Sequence, residues 1–212
     1  MKNEKDYLRD INEIRNMMER SSKFMSLSGL SGVFAGIYAL SSAYIAYKLL
    51  NFRIDKLYYT NEELIEIGLE RNNLLLLAIL TIIISVITSI IFSYRNTKVN
   101  SEKIWNATTR RLIMNLAIPL FSGGTVILLM MKFNLFGWLA PMSLLFYGLG
   151  ILNASKYTID DMRGLGIIQI ILGLIAMHFI SYGLIIWALG FGVVHIIYGI
   201  ILHYKYEVET NN

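Results

Sequence analysis

Long uncharged stretches alternate with short charged segments along this chain of 212 residues. Most of these stretches are about as long as the roughly 20 residues with which a helix crosses the hydrocarbon core of a membrane. The last one, from Gly164 to Tyr204, is about twice that length, and Ser181-Tyr182-Gly183 is its predicted turn. The pattern predicts six transmembrane helices (spans 1 to 6), at about 26–48, 73–95, 112–132, 135–155, 164–181 and 185–204.

Composition places the chain outside the range of soluble globular proteins. Hydrophobic residues make up 55% of it and charged residues only 16%, with a mean hydropathy of +0.53. The predicted fold is therefore all-α, a polytopic membrane domain over residues 24–206 with a short cytoplasmic tail at 207–212. The absence of cysteine excludes disulfides, iron–sulfur clusters and thiolate metal sites.

Basic residues are distributed unevenly between the two sets of alternating connections. Of the 19 Lys and Arg residues, 14 lie on the side of the termini, which predicts that both termini are cytoplasmic and that the spans form three in-out-in hairpins. Trp105 then marks the inner interface, and Trp138 and Trp187 mark the outer one. The net charge of +4 is explained by basic residues beside the apolar stretches, where anionic lipid head groups attract them. The expected partner is therefore the lipid bilayer of a bacterial inner membrane, and not nucleic acid.

The segment before span 1, residues 1–23, is predicted to form an amphipathic cytoplasmic helix. Its apolar positions recur at the spacing of one helix face, at Tyr7, Ile11, Ile14 and Met18. It lacks the short apolar core of a cleaved signal peptide. Docking on the membrane or on the bundle is favoured, because two heptads are too few for a stable coiled coil. A cytoplasmic protein partner and a homodimer through residues 3–23 both stay open.

Two local motifs indicate how particular segments fold. In span 1, Ser28, Gly32 and Gly36 form a ladder of small residues that lets another helix approach closely. A partner helix in the same chain is favoured over homodimerisation. In the connection after span 1, Thr60 and Glu63 have the spacing of a capping box, which predicts a helix that begins there and runs into span 2.

Polar and helix-breaking residues inside the spans are the candidates for a transport site or a polar pocket. Pro119, followed by Gly123 and Gly124, indicates a kink or a break near the middle of span 3, where the broken helices of transporters bind their ligands. His195 lies near the middle of span 6, with His203 two turns later on the same face. Amide side chains occupy the cytoplasmic halves of spans 3, 4 and 5, at Asn115, Asn153 and Gln169. A plain kink and a neutral, hydrogen-bonded His195 are the favoured interpretations.

No catalytic residue, metal site or cofactor is predicted. His178 and His195 would differ in depth by roughly 10 Å at the helical rise, so one chain does not present both to the same haem. A haem shared by two copies of His195 in a dimer is the alternative. No charged residue lies well inside a span, whereas ion-coupled transporters usually keep one there, so coupled transport is disfavoured.

Spans 3–4 and 5–6 show a weak internal correspondence. Trp138 and Trp187 begin spans 4 and 6, and Gly124 in span 3 matches Gly173 in span 5 at the same offset. Interface preferences alone would place tryptophan in this way, so duplication of a helical hairpin is only a hypothesis.

Four phrases of the sequence together resemble a family of bacterial multi-pass membrane proteins. They are Met18 to Gly32, Asn115 to Pro119 with Gly123-Gly124, Asn153 to Asp161, and Gly190 to Gly199. The resemblance implies a six-helix integral membrane fold over nearly the whole chain, and it implies no particular activity, substrate or cofactor.

The leading functional hypothesis is a non-enzymatic inner-membrane protein with a structural, regulatory or partner-recruiting role. It rests on the packing and interface signals, which are the strongest in the chain. The alternative is a small transporter or channel with a midplane site near the irregular part of span 3 and His195.

Overall fold

The structure, a computed structural model, describes residues 28–66, 68–99 and 105–208. The predicted amphipathic helix over residues 1–23, the beginning of span 1 and the end of the tail lie outside this range. The described protein is all-helical, with 85% of residues in helices and no strand. Six of these helices are long and apolar enough to cross a membrane, which confirms the predicted number of spans.

The helices are numbered α1 to α8 in chain order. Their bounds are Gly29–Lys48 (α1), Asn61–Glu66 (α2), Arg71–Val99 (α3), Ala107–Lys132 (α4), Leu139–Ala154 (α5), Asp161–His178 (α6), Gly183–Trp187 (α7) and His195–His203 (α8). Spans 1, 2, 3 and 5 correspond to α1, α3, α4 and α6. Span 4 is α5 with a 3₁₀ turn at each end, Phe136–Trp138 and Ser155–Tyr157. Span 6, Ile180–Tyr206, contains α7 and α8, joined by a π-helical segment, Ala188–Val194.

Spans 4, 5 and 6 form the centre of the bundle. Span 1 packs on span 6, span 2 packs on span 1, and span 3 packs on span 4. Span 2 is apolar on nearly all sides and remains exposed in the bundle, with residues such as Ile82 and Ile90 more than half exposed. Because a helix in lipid satisfies its own backbone hydrogen bonds, such a surface is stable when hydrocarbon surrounds it.

The small residues of span 1 lie against span 6 of the same chain. A Cβ added to Gly36 would come within 2.6 Å of the Gly192 carbonyl oxygen, and one added to Gly199 would come within 2.6 Å of the Val33 amide nitrogen. At Gly32 the corresponding distance to the Gly199 Cα is 3.2 Å. The two backbones therefore approach so closely that larger side chains would separate them.

The connection between spans 1 and 2 folds over one end of the bundle. The capping box forms as predicted: the Thr60 amide donates to Glu63 Oε2 at 2.8 Å, and the Glu63 amide donates to Thr60 Oγ1 at 3.2 Å. The expectation that this helix runs into span 2 is wrong, since α2 ends at Glu66 and Gly68 follows with a φ of +67°. A left-handed glycine reverses the chain before span 2 begins.

Spans 5 and 6 are joined two residues before the predicted turn. Phe179 leaves the helical conformation with φ −112° and ψ 67°, and its amide still donates to the Ile175 carbonyl at 3.0 Å. Gly183, one of the residues expected in the turn, instead begins α7, where a Cβ would lie 3.6 Å from that of Ala140. This glycine thus contributes to helix packing.

Candidate functional site

A buried polar cluster connects spans 4, 5 and 6. It consists of Tyr147 from α5, Gln169 from α6, and Gly190 and His195 from span 6. Tyr147 Oη lies 2.7 Å from His195 Nε2, and His195 Nδ1 lies 2.9 Å from the Gly190 carbonyl oxygen. Gln169 Nε2 donates to the same carbonyl at 2.8 Å. Gln169 is fully buried and His195 is only 6% exposed.

The hydrogen-bond pattern favours one tautomer of His195. If Nδ1 carries the proton, it donates to the Gly190 carbonyl, and Nε2 accepts from the Tyr147 hydroxyl. In the opposite tautomer, Nδ1 could accept from Gln169 Nε2 at the longer distance of 3.3 Å, but it would face the carbonyl oxygen at 2.9 Å as a second acceptor. The cluster therefore suits a neutral imidazole with Nδ1 protonated and both ring nitrogens paired, which is the arrangement that makes a buried histidine tolerable.

Aromatic rings enclose the imidazole. The Phe191 ring stacks on His195 with an interplanar angle of 16° and a centroid distance of 5.8 Å, and Trp187 lies 5.0 Å from Phe191. Both aromatic residues come from span 6 around its π-helical segment, which winds with a wider turn than an α-helix. Tyr147 packs on Phe191 at 4.8 Å. The imidazole is thus fixed by ring contacts as well as by hydrogen bonds.

Gly190 is the tightest position of the cluster. A Cβ added there would lie 2.7 Å from Gln169 Oε1 and 2.6 Å from a methyl carbon of Leu144. Gln169 Oε1 is buried and accepts no hydrogen bond from the part of the chain that the structure describes. The close approach of the Gly190 backbone therefore lets the side-chain amide of Gln169 donate a hydrogen bond, but the amide oxygen accepts none from the described residues.

Pro119 belongs to a second polar contact, between spans 3 and 4. Proline has no amide hydrogen, so the carbonyl of Asn115, four residues earlier, loses its helical partner. The side-chain amide of Asn153 on α5 donates to this carbonyl oxygen at 3.1 Å. The side chain of Asn115 donates to the Arg111 carbonyl at 2.8 Å. The helix α4 continues through Pro119 without a break.

The structure separates the remaining candidates for a transport site. A Cβ on Gly123 would meet the Phe146 side chain at 2.4 Å, so this glycine forms part of the contact between α4 and α5. Among the described residues, no atom outside the nearby backbone of the same helix lies within 4 Å of a Cβ added to Gly124. The backbone of His203 lies beside Gly29, the first residue of α1. The predicted pocket residues thus form two separate contacts, Gln169 with His195 and Asn153 with the Asn115 carbonyl beside Pro119.

A metal centre at the histidines would need further ligands close by. Within the described ranges, no group of three His, Asp or Glu residues is close enough to hold a metal ion. His178 is exposed at the end of α6, where its ring meets Phe179 edge-on at 4.7 Å. His195 lies inside the bundle with both nitrogens engaged, so it is not presented on a surface where a second copy of the chain would meet it.

The three tryptophans lie at different places in the bundle. Trp105 is 71% exposed just before α4. Trp138 lies in the turn at the start of span 4, and Trp187 lies further inside span 6, next to the aromatic cluster.

The hypothesis of a repeated hairpin predicts equivalent surroundings for Gly124 and Gly173. A Cβ added to Gly173 would lie 3.0 Å from the Leu145 amide nitrogen, whereas one added to Gly124 would meet open space among the described residues.

Sequence reasoning missed the partner of His195 and the polar contacts of the connection between spans 1 and 2. Tyr147 lies 48 residues from His195, and nothing in its local pattern indicates the hydrogen bond. In the connection, the buried Tyr59 donates its hydroxyl to the Asp55 carboxylate, and its amide donates to the Asn134 carbonyl at 3.0 Å. Burial and the hydrogen bond to Asp55 raise the pKa of Tyr59 above its usual value.

Asn134 ties this connection to the turn between spans 3 and 4. It has a positive φ of 59°, which asparagine tolerates better than most residues, and its side-chain amide donates to Asn61 Oδ1 at 2.8 Å. The signal that could have found it is its position directly after the charged end of span 3, where a helix C-cap is expected.

Comparisons with models of protein families, with curated proteins and with solved structures find no match. The class of the protein therefore follows from the structure itself: it is an all-helical protein with six helices suited to crossing a membrane.

Proposed function

We propose that this protein is a non-enzymatic component of the bacterial inner membrane, a stable six-helix bundle with a structural, regulatory or partner-recruiting role. The observation that supports it most is the pairing of His195 with Tyr147 and Gly190 inside close helix contacts. Interior polar groups that bond to one another stabilise one arrangement of helices. Close contacts of this kind favour a fixed bundle over an alternating-access mechanism.

The proposed topology places both termini in the cytoplasm, with the spans as three in-out-in hairpins. The excess of Lys and Arg in the connections on the side of the termini supports this orientation. The connection between spans 1 and 2 then lies outside. An introduced cysteine near Tyr58, in a chain that has no other cysteine, should react with an impermeant maleimide from the outer side only. Labelling from the cytoplasmic side would contradict the orientation.

Partner recruitment is assigned to the amphipathic segment at residues 3–23. Its charged face would remain in the cytoplasm while its apolar face docks on the membrane, the bundle or a protein. The test is in-cell crosslinking of the full chain and of a variant that lacks residues 2–20. Loss of specific crosslinked cytoplasmic proteins from the shortened variant is the expected result. Recovery of the same partners would refute recruitment through this segment.

The alternative is a small transporter or channel with a site at His195. Two observations favour it: the π-helical segment Ala188–Val194, a feature often found at functional sites, and the unpaired buried oxygen of Gln169. A Gln169→Cys variant distinguishes the two functions. A fixed bundle should protect this cysteine from a water-soluble maleimide in intact membranes, whereas a water-filled pathway should expose it to rapid labelling.

A further inference from the structure

A cleft opens beside the connection between spans 1 and 2, at the end of the bundle where spans 4 and 6 begin. Its volume is about 240 Å³. Phe136, Ala140, Ile180 and Leu184 contribute apolar walls, and Arg53 and Asp55 contribute from the connection. Phe136 and Ile180 begin their spans, and Ala140 and Leu184 lie four residues further on, so the apolar walls extend roughly 6 Å into the spans at the helical rise.

Hydrogen bonds to the connection hold the cleft in shape. The Ser181 hydroxyl donates to the Asp55 carbonyl at 3.2 Å, and the Gly137 amide donates to the Leu57 carbonyl at 3.2 Å. A Cβ on Gly137 would lie 2.6 Å from the Lys56 carbonyl oxygen, so a larger residue there would lift the connection away. The cleft is therefore a defined part of the fold, formed by three segments that are distant in sequence.

The rim of the cleft carries the Arg53 guanidinium, and Lys48 lies nearby at the Tyr47 ring, which also lines the cleft. The Arg53 guanidinium lies 4.9 Å from the centroid of the Tyr47 ring, and the Lys48 ammonium lies 5.6 Å from the same centroid. Among the residues that the structure describes, no carboxylate lies within ion-pair distance of either cation. Asp55, the carboxylate that also lines the cleft, accepts a hydrogen bond from the Tyr59 hydroxyl and forms no ion pair with Arg53. Arg53 is thus a cation at the cleft whose guanidinium has no ion-pair partner among the described residues.

We propose that the cleft binds one anionic phospholipid, with the upper part of an acyl chain against the apolar walls and the phosphate on Arg53. An apolar groove below a cationic rim, at interface depth, matches the order of groups along such a lipid. Arginine forms two parallel hydrogen bonds with a phosphate, whereas lysine acts as a point charge. The bound lipid would connect the span 1–2 connection to spans 4 and 6.

Native mass spectrometry of the detergent-purified full chain tests this site. Phosphatidylglycerol should bind with one high-affinity equivalent, and phosphatidylcholine, which has no net charge, should bind more weakly. The Arg53→Gln variant should lose about fivefold in affinity for phosphatidylglycerol, since each basic residue near a lipid surface contributes about that factor. The matched control is Lys132→Gln, because Lys132 also lies over an aromatic ring, 5.8 Å from that of Phe133, at the same end of the bundle but away from the cleft.

Two further arms separate the parts of the proposed ligand. Ala140→Leu should narrow the cleft and reduce phosphatidylglycerol binding while leaving Arg53 in place. A large excess of inorganic phosphate should not displace the lipid, because the phosphate ion lacks the apolar contacts. Equal loss in the Arg53→Gln and Lys132→Gln variants, equal affinity for the two lipids, or displacement by inorganic phosphate would each overturn the proposal. The measurement is made in detergent, so it depends neither on the orientation in the membrane nor on a cytoplasmic partner.

Discussion

The contact between Pro119 and Asn153 allows the most direct test of how this bundle compensates an irregular helix. Proline at position 119 leaves the Asn115 carbonyl without its helical donor, and Asn153 donates to it from the neighbouring span at 3.1 Å. Asn153→Ala should therefore destabilise the protein. In a Pro119→Ala background the restored amide should take the place of Asn153, and the same substitution should cost much less.

The expected magnitudes follow from hydrogen bonds inside membranes. An interhelical hydrogen bond there contributes about 0.6 kcal/mol on average and up to about 1.7 kcal/mol, and an unsatisfied buried carbonyl costs about 1–3 kcal/mol. Because Asn153 is half-buried, we expect Asn153→Ala to lower the free energy of unfolding by about 1.5 kcal/mol in the native background and by about 0.5 kcal/mol beside Ala at position 119. The coupling energy is then about 1 kcal/mol.

Equilibrium unfolding in mixed micelles of dodecyl maltoside and SDS, followed by tryptophan fluorescence, measures the four free energies of this cycle. The control is Asn115→Ala, which removes a side-chain bond to the Arg111 carbonyl within the same helix and leaves the Asn115 carbonyl in place. Its cost should be the same in both backgrounds. If Asn153→Ala costs as much beside alanine as beside proline, the reasoning is refuted, since Asn153 would then act through packing and not through the freed carbonyl.

Three further predictions concern other contacts. Tyr147→Phe removes the hydroxyl that donates to the buried imidazole, and should lower the free energy of unfolding by about 1 kcal/mol in the same assay; an unchanged value would exclude that bond as a stabilising contact. Gly36→Val should force spans 1 and 6 apart and cost about 2 kcal/mol or more, whereas Gly124→Val, in open space, should cost less than about 0.5 kcal/mol; equal costs would contradict the packing described. The bond to Lys56 lowers the pKa of Glu63, so its stabilising effect should be present above the ordinary glutamate pKa of 4.5 and be lost as the pH falls through the lower folded value. The midpoints of thermal unfolding of the native chain and of the Glu63→Gln variant should therefore converge at acid pH. A difference that stays constant with pH would refute the pairing.

Local signals predicted much of the fold. The six spans follow from runs of apolar residues, whose length must match the membrane. The capping box follows from two residues, Thr60 and Glu63, that are only three positions apart in the sequence. The end of α2 was not predicted. Gly68, which follows α2 with a positive φ, is a local signal for that end, but the contact of Tyr59 with Asn134 joins residues far apart in sequence.

The candidate site could be predicted only in part. His195 and Gln169 were identified individually, because polar groups are costly inside a membrane and so call for an explanation. Their meeting with Tyr147 and the Gly190 backbone was not predictable from spacing, since it depends on which spans are neighbours and on how far each is rotated.

The sequence by itself determined that the chain contains six apolar helices, because backbone polar groups in hydrocarbon must be hydrogen-bonded and a helix satisfies nearly all of them within one segment. It also determined where small residues permit close contact, as at Gly36. Only the tertiary structure decided which helices use those contacts, that Asn153 compensates Pro119, and that Arg53 comes to lie above an apolar cleft. The physical reason is that lipid is as apolar as most helix surfaces, so hydrophobic patterning hardly distinguishes one partner helix from another, and packing and a few polar bonds make the choice.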